Sequence, residues 1–250
     1  MTINKDKLIR EHHPDVIRKR LSNKPKRQNV SDAILGGIDG CVTTFAVVSS
    51  VVGAGLPASV ALIMGFANLF ADGFSMAVSS YESINAETEY VDKIRRREEE
   101  HIDKVPEGER EEIRQIFENK GFREDVLEEI TNTICQDRSL WLDTMLVEEY
   151  GLQKNNLSPY ISSITTFVAF VVVGAVPLLP FLFSGINIQD TFLISTLLAG
   201  IMFFSIGAIK GQLFTKPILT SGIRTLLTGG TAASLAFLAG YILRNFFGIS

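Results

Sequence analysis

Cysteine, histidine and tryptophan are scarce in this 250-residue chain, with two, three and one of each. Two cysteines build no disulfide framework, and Cys41 and Cys135 fall in segments of very different character, so a reduced setting suits both. His12, His13 and His101 form no HExxH, and no CxxC occurs. There is no Gly-rich phosphate loop and no paired nucleophile and base. These absences weigh against a hydrolase or an ATP-driven pump, and neither a prosthetic group nor a nucleic-acid partner is expected. Residues 1–30 are polar and basic without an apolar core, so no signal peptide is expected there. No internal repeat or low-complexity tract is visible.

Charge is the other scarcity, and it is local. Residues 33–80 and 158–250 hold only Asp39, Asp72, Asp190, Lys210, Lys216, Arg224 and Arg244. Residues 81–157 between them hold 21 acids and 11 bases, and residues 1–32 hold 9 bases and 4 acids. Such asymmetry describes a membrane protein with a water-exposed acidic module. Four segments follow: a basic N-terminal segment (1–32), two spans (33–80), an acidic helical module (81–157) and three spans (158–250).

A bilayer core about 30 Å thick takes roughly 20 helical residues to cross. Five stretches qualify, near Ala33–Gly53, Ala58–Ser80, Tyr160–Phe183, Thr191–Ile209 and Leu226–Phe247. The links between the first and second spans and between the third and fourth carry no base. The N-terminal segment and the link holding Lys210, Lys216 and Arg224 are basic. Positive residues favour the cytoplasmic side, so the N-terminus and the acidic module are expected in the cytoplasm and the C-terminus outside. Arg244 runs against this pattern, although one arginine can snorkel to the interface.

Within the module, the second span is expected to continue as a helix until Pro106 interrupts it. "PEGEREEIRQIFENKGF" carries Pro at its start and Gly121 just past its end, the usual asymmetry of helix termini. Ile113, Ile116 and Phe117 share one face. Val126, Leu127, Ile130, Ile134, Leu142, Met145 and Leu146 predict a further helix over Glu124–Tyr150. The module reads as a small bundle with an acidic exterior or an acidic seam.

Asp39 and Asp72 are the sharpest signals. A carboxylate in mid-membrane costs several kcal/mol unless it is paired, protonated or hydrated, and it usually marks an ion or proton pathway. The alternative is a structural carboxylate held by Thr43, Thr44 or Ser75. Met76 lies one turn beyond Asp72, and its thioether is either core packing or a soft metal ligand. Gly36 and Gly40, with Ala67, Ala71 and Gly73, offer small surfaces for close helix approach, within one subunit or across a dimer. In the module, Glu98 and His101, Glu109 and Glu112, and Met145 and Glu149 each share a helix face. Facing carboxylates of this kind can hold metal, or can simply be solvated.

"GGIDGCVTTFAVV", "ANLFADGFSMAVSSYES", "PEGEREEIRQIFENKGF" and "WLDTMLVEEYGL" resemble the vacuolar iron transporter family in order and spacing, from about Asp32 to Phe247. The resemblance implies an all-α protein with five transmembrane helices and a cytoplasmic metal-binding bundle inserted between the second and third. It implies a homodimer with the ion path between subunits. The implied activity is proton-coupled export of Fe²⁺ from the cytosol, with Mn²⁺ as a further cargo and Zn²⁺ or Co²⁺ also bound at the module. Asp39 and Met76 match membrane metal-site positions. Glu98, Glu109, Glu112, Met145 and Glu149 match module metal positions, with His101 standing where the family places a glutamate. Asp72 is carried as a proton or pathway site. The rival readings are a membrane-anchored metal sensor, a Mn²⁺-preferring transporter and a ferroxidase. "EEEH" supplies one Glu-x-x-His where a di-iron bundle needs two, which weighs against the last. The membrane would be the plasma membrane in a prokaryote and vacuole-like in a eukaryote.

Overall fold

The computed structural model describes residues 5–22, 28–152, 158–183 and 187–248. Every regular element among them is helical. In chain order these are α1 (Lys5–Glu11), α2 (Pro14–Ser22), α3 (Gln28–Gly53), α4 (Ala58–Lys104), α5 (Pro106–Asn119), α6 (Glu124–Gln136), α7 (Arg138–Glu148) and α8 (Pro159–Gly174). A 3-10 segment (Val176–Leu182), α9 (Ile188–Leu213) and α10 (Ile218–Phe247) complete the chain. Two compact units form, one from residues 1–76 with 164–250 and one from residues 77–163. The basic N-terminal segment, expected only as a polar stretch, contains the short helices α1 and α2.

Among the described residues four helices are long and apolar enough to cross a membrane, and the count is five if a bent pair is one span. The bent pair is α8 with the 3-10 segment, at 43°. Pro177 and Pro180 cause the break, since proline has no N–H to donate and its ring clashes with the preceding turn. The carbonyl of Pro177 is satisfied from outside the helix, by the buried Ser195 hydroxyl at 2.7 Å. A backbone group freed inside a membrane needs such a partner. The expected third span, Tyr160–Phe183, is thus two pieces; α3 and α10 start earlier than expected and end where expected, α9 is longer at both ends, and α4 continues as a helix up to Lys104 as the sequence predicts.

Lipid tails are as apolar as leucine, so close packing rather than water exclusion holds such helices together. Val48, Leu69, Phe170 and Leu178 form one core of this unit, and Cys41, Phe45, Ala199, Phe203 and Ala233 another. Gly36 and Gly40 lie directly against the Thr166 and Phe170 carbonyls of α8, so that a Cβ at either would overlap a backbone oxygen. These two glycines therefore serve packing within one chain. Ala67 and Ala71 remain exposed on α4. So do Leu197, Leu227 and Leu235, as expected of side chains that face lipid. Arg244, the exception to the charge pattern, lays its guanidinium over the Gly55 turn.

The second unit packs the later part of α4 with α5, α6 and α7 around Ile94, Ile102, Ile113, Ile134, Trp141, Leu142, Met145 and Leu146. Burying each such side chain is worth roughly 1.5–3 kcal/mol. Ion pairs Arg95–Asp143 and Asp103–Arg138 run α4 and α7 antiparallel, and Arg110–Glu128 ties α5 to α6. Being exposed, each adds little. Gly121, at φ +100°, ends α5. Its amide donates to Glu118 O and that of Phe122 to Phe117 O, and the Phe117 and Phe122 rings meet at 6.0 Å. This is a left-handed helix stop with its accompanying apolar contact.

The helix expected over Glu124–Tyr150 is two helices. Asp137 is extended, at φ −106° and ψ 105°, and its carboxylate accepts from the amides of Ser139 and Leu140. A strong N-cap therefore starts α7 inside what the apolar periodicity presents as one helix. Within α6 the buried face runs through Leu127, Thr131 and Ile134, and Val126 lies off it at 53% exposure, away from the apolar face on which spacing had placed it.

Candidate metal sites

The module site begins with a break in the chain. Pro106 disfavours helical geometry at Val105, whose φ of −137° and ψ of 52° end α4. The chain reverses there, and α5 starts with Pro at its first turn. The reversal brings Glu109 back beside the last turns of α4, where Glu98 and His101 project from one face. Ligand atoms of Glu98, His101 and Glu109 lie within 4.8 Å of one another. His101 Nδ1 is 3.3 Å from Glu109 Oε1 and 3.9 Å from Glu98 Oε2.

Both carboxylates are buried, Glu98 at 1% and Glu109 at 3% exposure, whereas the His101 side chain is 44% exposed. Of the three consecutive glutamates, Glu98 alone points inward. Glu100 pairs with Lys104 at the surface. The acid-rich composition thus resolves into a seam as well as an exterior. Buried carboxylates this close are costly unless a cation or a proton joins them. One oxygen of Glu109, Oε2, is buried with no hydrogen-bond partner among the described residues. Burial, then the charges of Glu112 and Glu98, push the Glu109 carboxyl up from 4.5 to about 7, against a lowering pull from His101. Glu112 is also raised, by burial and by Glu149 and Glu98.

From α7, the sequence-predicted Met145 is fully buried in the module core, and Glu149 follows one turn later at the surface. Glu149 and Glu112 are exposed but close enough to act electrostatically on Glu109 of the cluster. The structure thus assembles Glu98, His101 and Glu109 into one group and sets Glu112 and Glu149 at its margin. Two carboxylates and an imidazole suit Fe²⁺, Mn²⁺ or Zn²⁺, and the unpartnered Glu109 oxygen fits a cation.

Sequence reasoning missed the residues that hold Glu98. Tyr150 donates its hydroxyl to Glu98 Oε1 at 3.0 Å, and Arg97 Nε donates to the same oxygen at 3.3 Å. The Arg97 guanidinium also lies over the Tyr150 ring, 5.1 Å from its centre. Burial and its bonds to Glu149 and Glu98 hold the Tyr150 phenol protonated, well above its usual value. Together they occupy Oε1 and leave Oε2 turned toward His101. The available signal was the aromatic residue adjoining Glu149, a position that spacing rules do not select.

In the membrane-spanning unit, Asp39, Asp72 and Met76 are each half-buried. Asp72 and Met76 share one face of α4. The two carboxylates lie close enough to interact electrostatically. Among the described residues neither has a hydrogen bond or ion pair. The structural alternative loses its partners: Thr43 donates to the backbone carbonyl of Asp39 at 2.9 Å, Thr44 Oγ1 is buried without a partner, and Ser75 is exposed. Two neighbouring carboxylates without a hydrogen-bonding partner in a membrane-spanning unit describe a place where an ion or proton can be held.

Comparison with known proteins agrees with the sequence resemblance. The family model described as "VIT family" matches residues 30–241. "Vacuolar iron transporter 1" of Tulipa gesneriana is 33% identical, the match covering 83% of this chain and 84% of the relative. "Vacuolar iron transporter" of Plasmodium berghei (strain Anka) is 28% identical over 97% of this chain and 92% of its own length. "Vacuolar iron transporter 2" of Oryza sativa subsp. japonica is 31% identical over 83% and 85%.

Proposed function

The chain belongs to the VIT family, whose members are transporters and not enzymes, and from that premise we propose that it carries Fe²⁺ out of the cytosol in exchange for protons. Mn²⁺ is a second cargo of the same chemistry. The N-terminus and the acidic module face the cytosol. The protein works as a homodimer, with the ion path beside α3 and α4. The exposed face of α4, with Ala67, Ala71, Phe70 and Phe74, supports this arrangement.

The observation that carries the reading is the Glu98–His101–Glu109 cluster, whose two carboxylates are buried and one of whose carboxylate oxygens has no partner among the described residues. A group of this kind gathers a divalent cation from water. Glu112, Met145 and Glu149 complete its surroundings. The ion then reaches Asp39 and Met76 in the membrane, with Asp72 as the neighbouring proton site. Ligation needs the deprotonated carboxylate, so protons and metal compete directly, and a proton arriving from the far side releases the ion.

The test is Fe²⁺ uptake into proteoliposomes under an imposed pH gradient, comparing the wild type with Asp39→Ala. Gradient-dependent uptake that the variant lacks supports antiport through Asp39. Uptake by the variant at the normal rate sinks this mechanism. No uptake by the wild type, with Fe²⁺ still bound, replaces transport by metal sensing.

A further inference from the structure

The end of α9, the short link after it and the start of α10 carry three cations and no acid, Lys210, Lys216 and Arg224 respectively. Lys210, Lys216 and Arg224 line a cleft of about 400 Å³ in the membrane-spanning unit. All three are exposed, and none has an ion pair among the described residues. In this they differ from Arg95, Arg110, Arg114 and Arg138, each of which faces a carboxylate. The floor is apolar, formed by Ile38 and Val42 of α3. Cations above an apolar floor match an amphiphile with a negative head.

Two further features point the same way. The first turn of α10 opens into this cleft at Thr220 and Ser221, and no side chain caps it. Its first amides have no acceptor within the helix, and their partial positive charge favours an anion. Thr215 adopts φ +53°, a left-handed backbone that a β-branched residue takes only under strain. The turn it makes is closed by the Lys216 amide donating to Gly211 O at 2.9 Å, which fixes Lys216 at the rim.

We propose that this cleft binds a phosphate-bearing anion, with an anionic phospholipid headgroup of the adjoining leaflet as its source. Basic clefts between membrane helices hold such headgroups. Its three cations are distinct from Asp39, Asp72 and Met76, although the cleft floor at Ile38 adjoins Asp39 in the chain. The proposal rests on the chain's crossing a membrane and not on transport, so its failure leaves the metal reading untouched. Bases at a membrane surface also set orientation, but that role needs no cleft, no apolar floor and no uncapped helix start.

The experiment is native mass spectrometry of the full-length protein in detergent micelles doped with dioleoyl phosphatidylglycerol or dioleoyl phosphatidylcholine. A second arm adds inorganic phosphate. Each cation near an anionic headgroup is worth about five-fold in affinity, so Lys210→Gln, Lys216→Gln and Arg224→Gln together should cost roughly 100-fold. Wild-type protein is expected to retain phosphatidylglycerol in preference to phosphatidylcholine, and the triple variant to lose that preference. The charge-keeping variant Lys210→Arg, Lys216→Arg, Arg224→Lys is expected to keep it, which separates binding from folding. Displacement of the lipid by phosphate would keep the anion site and assign it to a soluble ligand. Equal retention of both lipids by the wild type, or an unchanged preference in the glutamine variant, would overturn the proposal.

Discussion

Replacing Glu109 with glutamine keeps the shape of the side chain and removes its charge from a nearly closed site. The folded carboxyl sits near pH 7 and not at its ordinary 4.5, so the folded bundle holds this proton where the unfolded chain releases it. The sign follows: below pH 4.5 both states are protonated and nothing is lost. As pH rises from 4.5 to about 7, ionising Glu109 costs stability, and above 7 the full cost is present. A displacement of that size corresponds to at most about 3 kcal/mol, reduced where water reaches the cluster past the half-exposed His101. The metal-free wild-type bundle should therefore weaken by up to this amount between pH 4.5 and 7.5. Glu109→Gln should remove most of the slope and leave pH 4.5 stability alone. The single tryptophan is a local reporter, since Trp141 is buried in the bundle core. Urea unfolding of the full-length protein in detergent, followed by Trp141 fluorescence at several pH values, reads the effect. Added Mn²⁺ at 100 times its dissociation constant should restore about 2.7 kcal/mol to the wild type and less to the variant. A wild-type bundle equally stable at both pH values, or a variant that is less stable at pH 7.5, would refute the reasoning.

Tyr150→Phe removes the hydroxyl that holds Glu98 Oε1 and should weaken Mn²⁺ binding by about 10- to 100-fold in equilibrium titration, as loss of a ligand's supporting partner does elsewhere. His101→Glu replaces an imidazole by a hard oxygen ligand, so competition titrations should show preference moving from Zn²⁺ toward Mn²⁺. Gly40→Ala places a methyl against the Phe170 carbonyl and should cost about 1–3 kcal/mol, visible as a lower unfolding temperature, while Gly108→Ala, with open space around its Cβ, should show no such loss.

Local chemistry determined much of this protein directly. Proline and glycine act on the backbone within a residue or two, so Pro106 and Gly121 marked the ends of α5 in advance. Long charge-free runs follow from the bilayer's thickness, and the membrane-length helices appear where those runs lie. Glu98, His101 and Glu109 could be proposed as ligands from helical spacing and family resemblance. Periodicity, however, cannot see a cap that interrupts it, and so Asp137 divided a stretch that looked continuous. Nor can spacing say which of Glu98, Glu99 and Glu100 faces inward. That was decided by how α4 meets α5 and α7 around Ile102, Ile113 and Met145. The same packing brought Tyr150 onto Glu98 across 52 residues of chain. In the membrane unit, the glycine spacing was equally compatible with a dimer seam, and only the placement of α8 showed Gly36 and Gly40 closed against their own chain. The physical division is one of range: steric and solvent effects act on neighbours in sequence, whereas burial, charge proximity and close packing depend on partners that only the folded chain brings together.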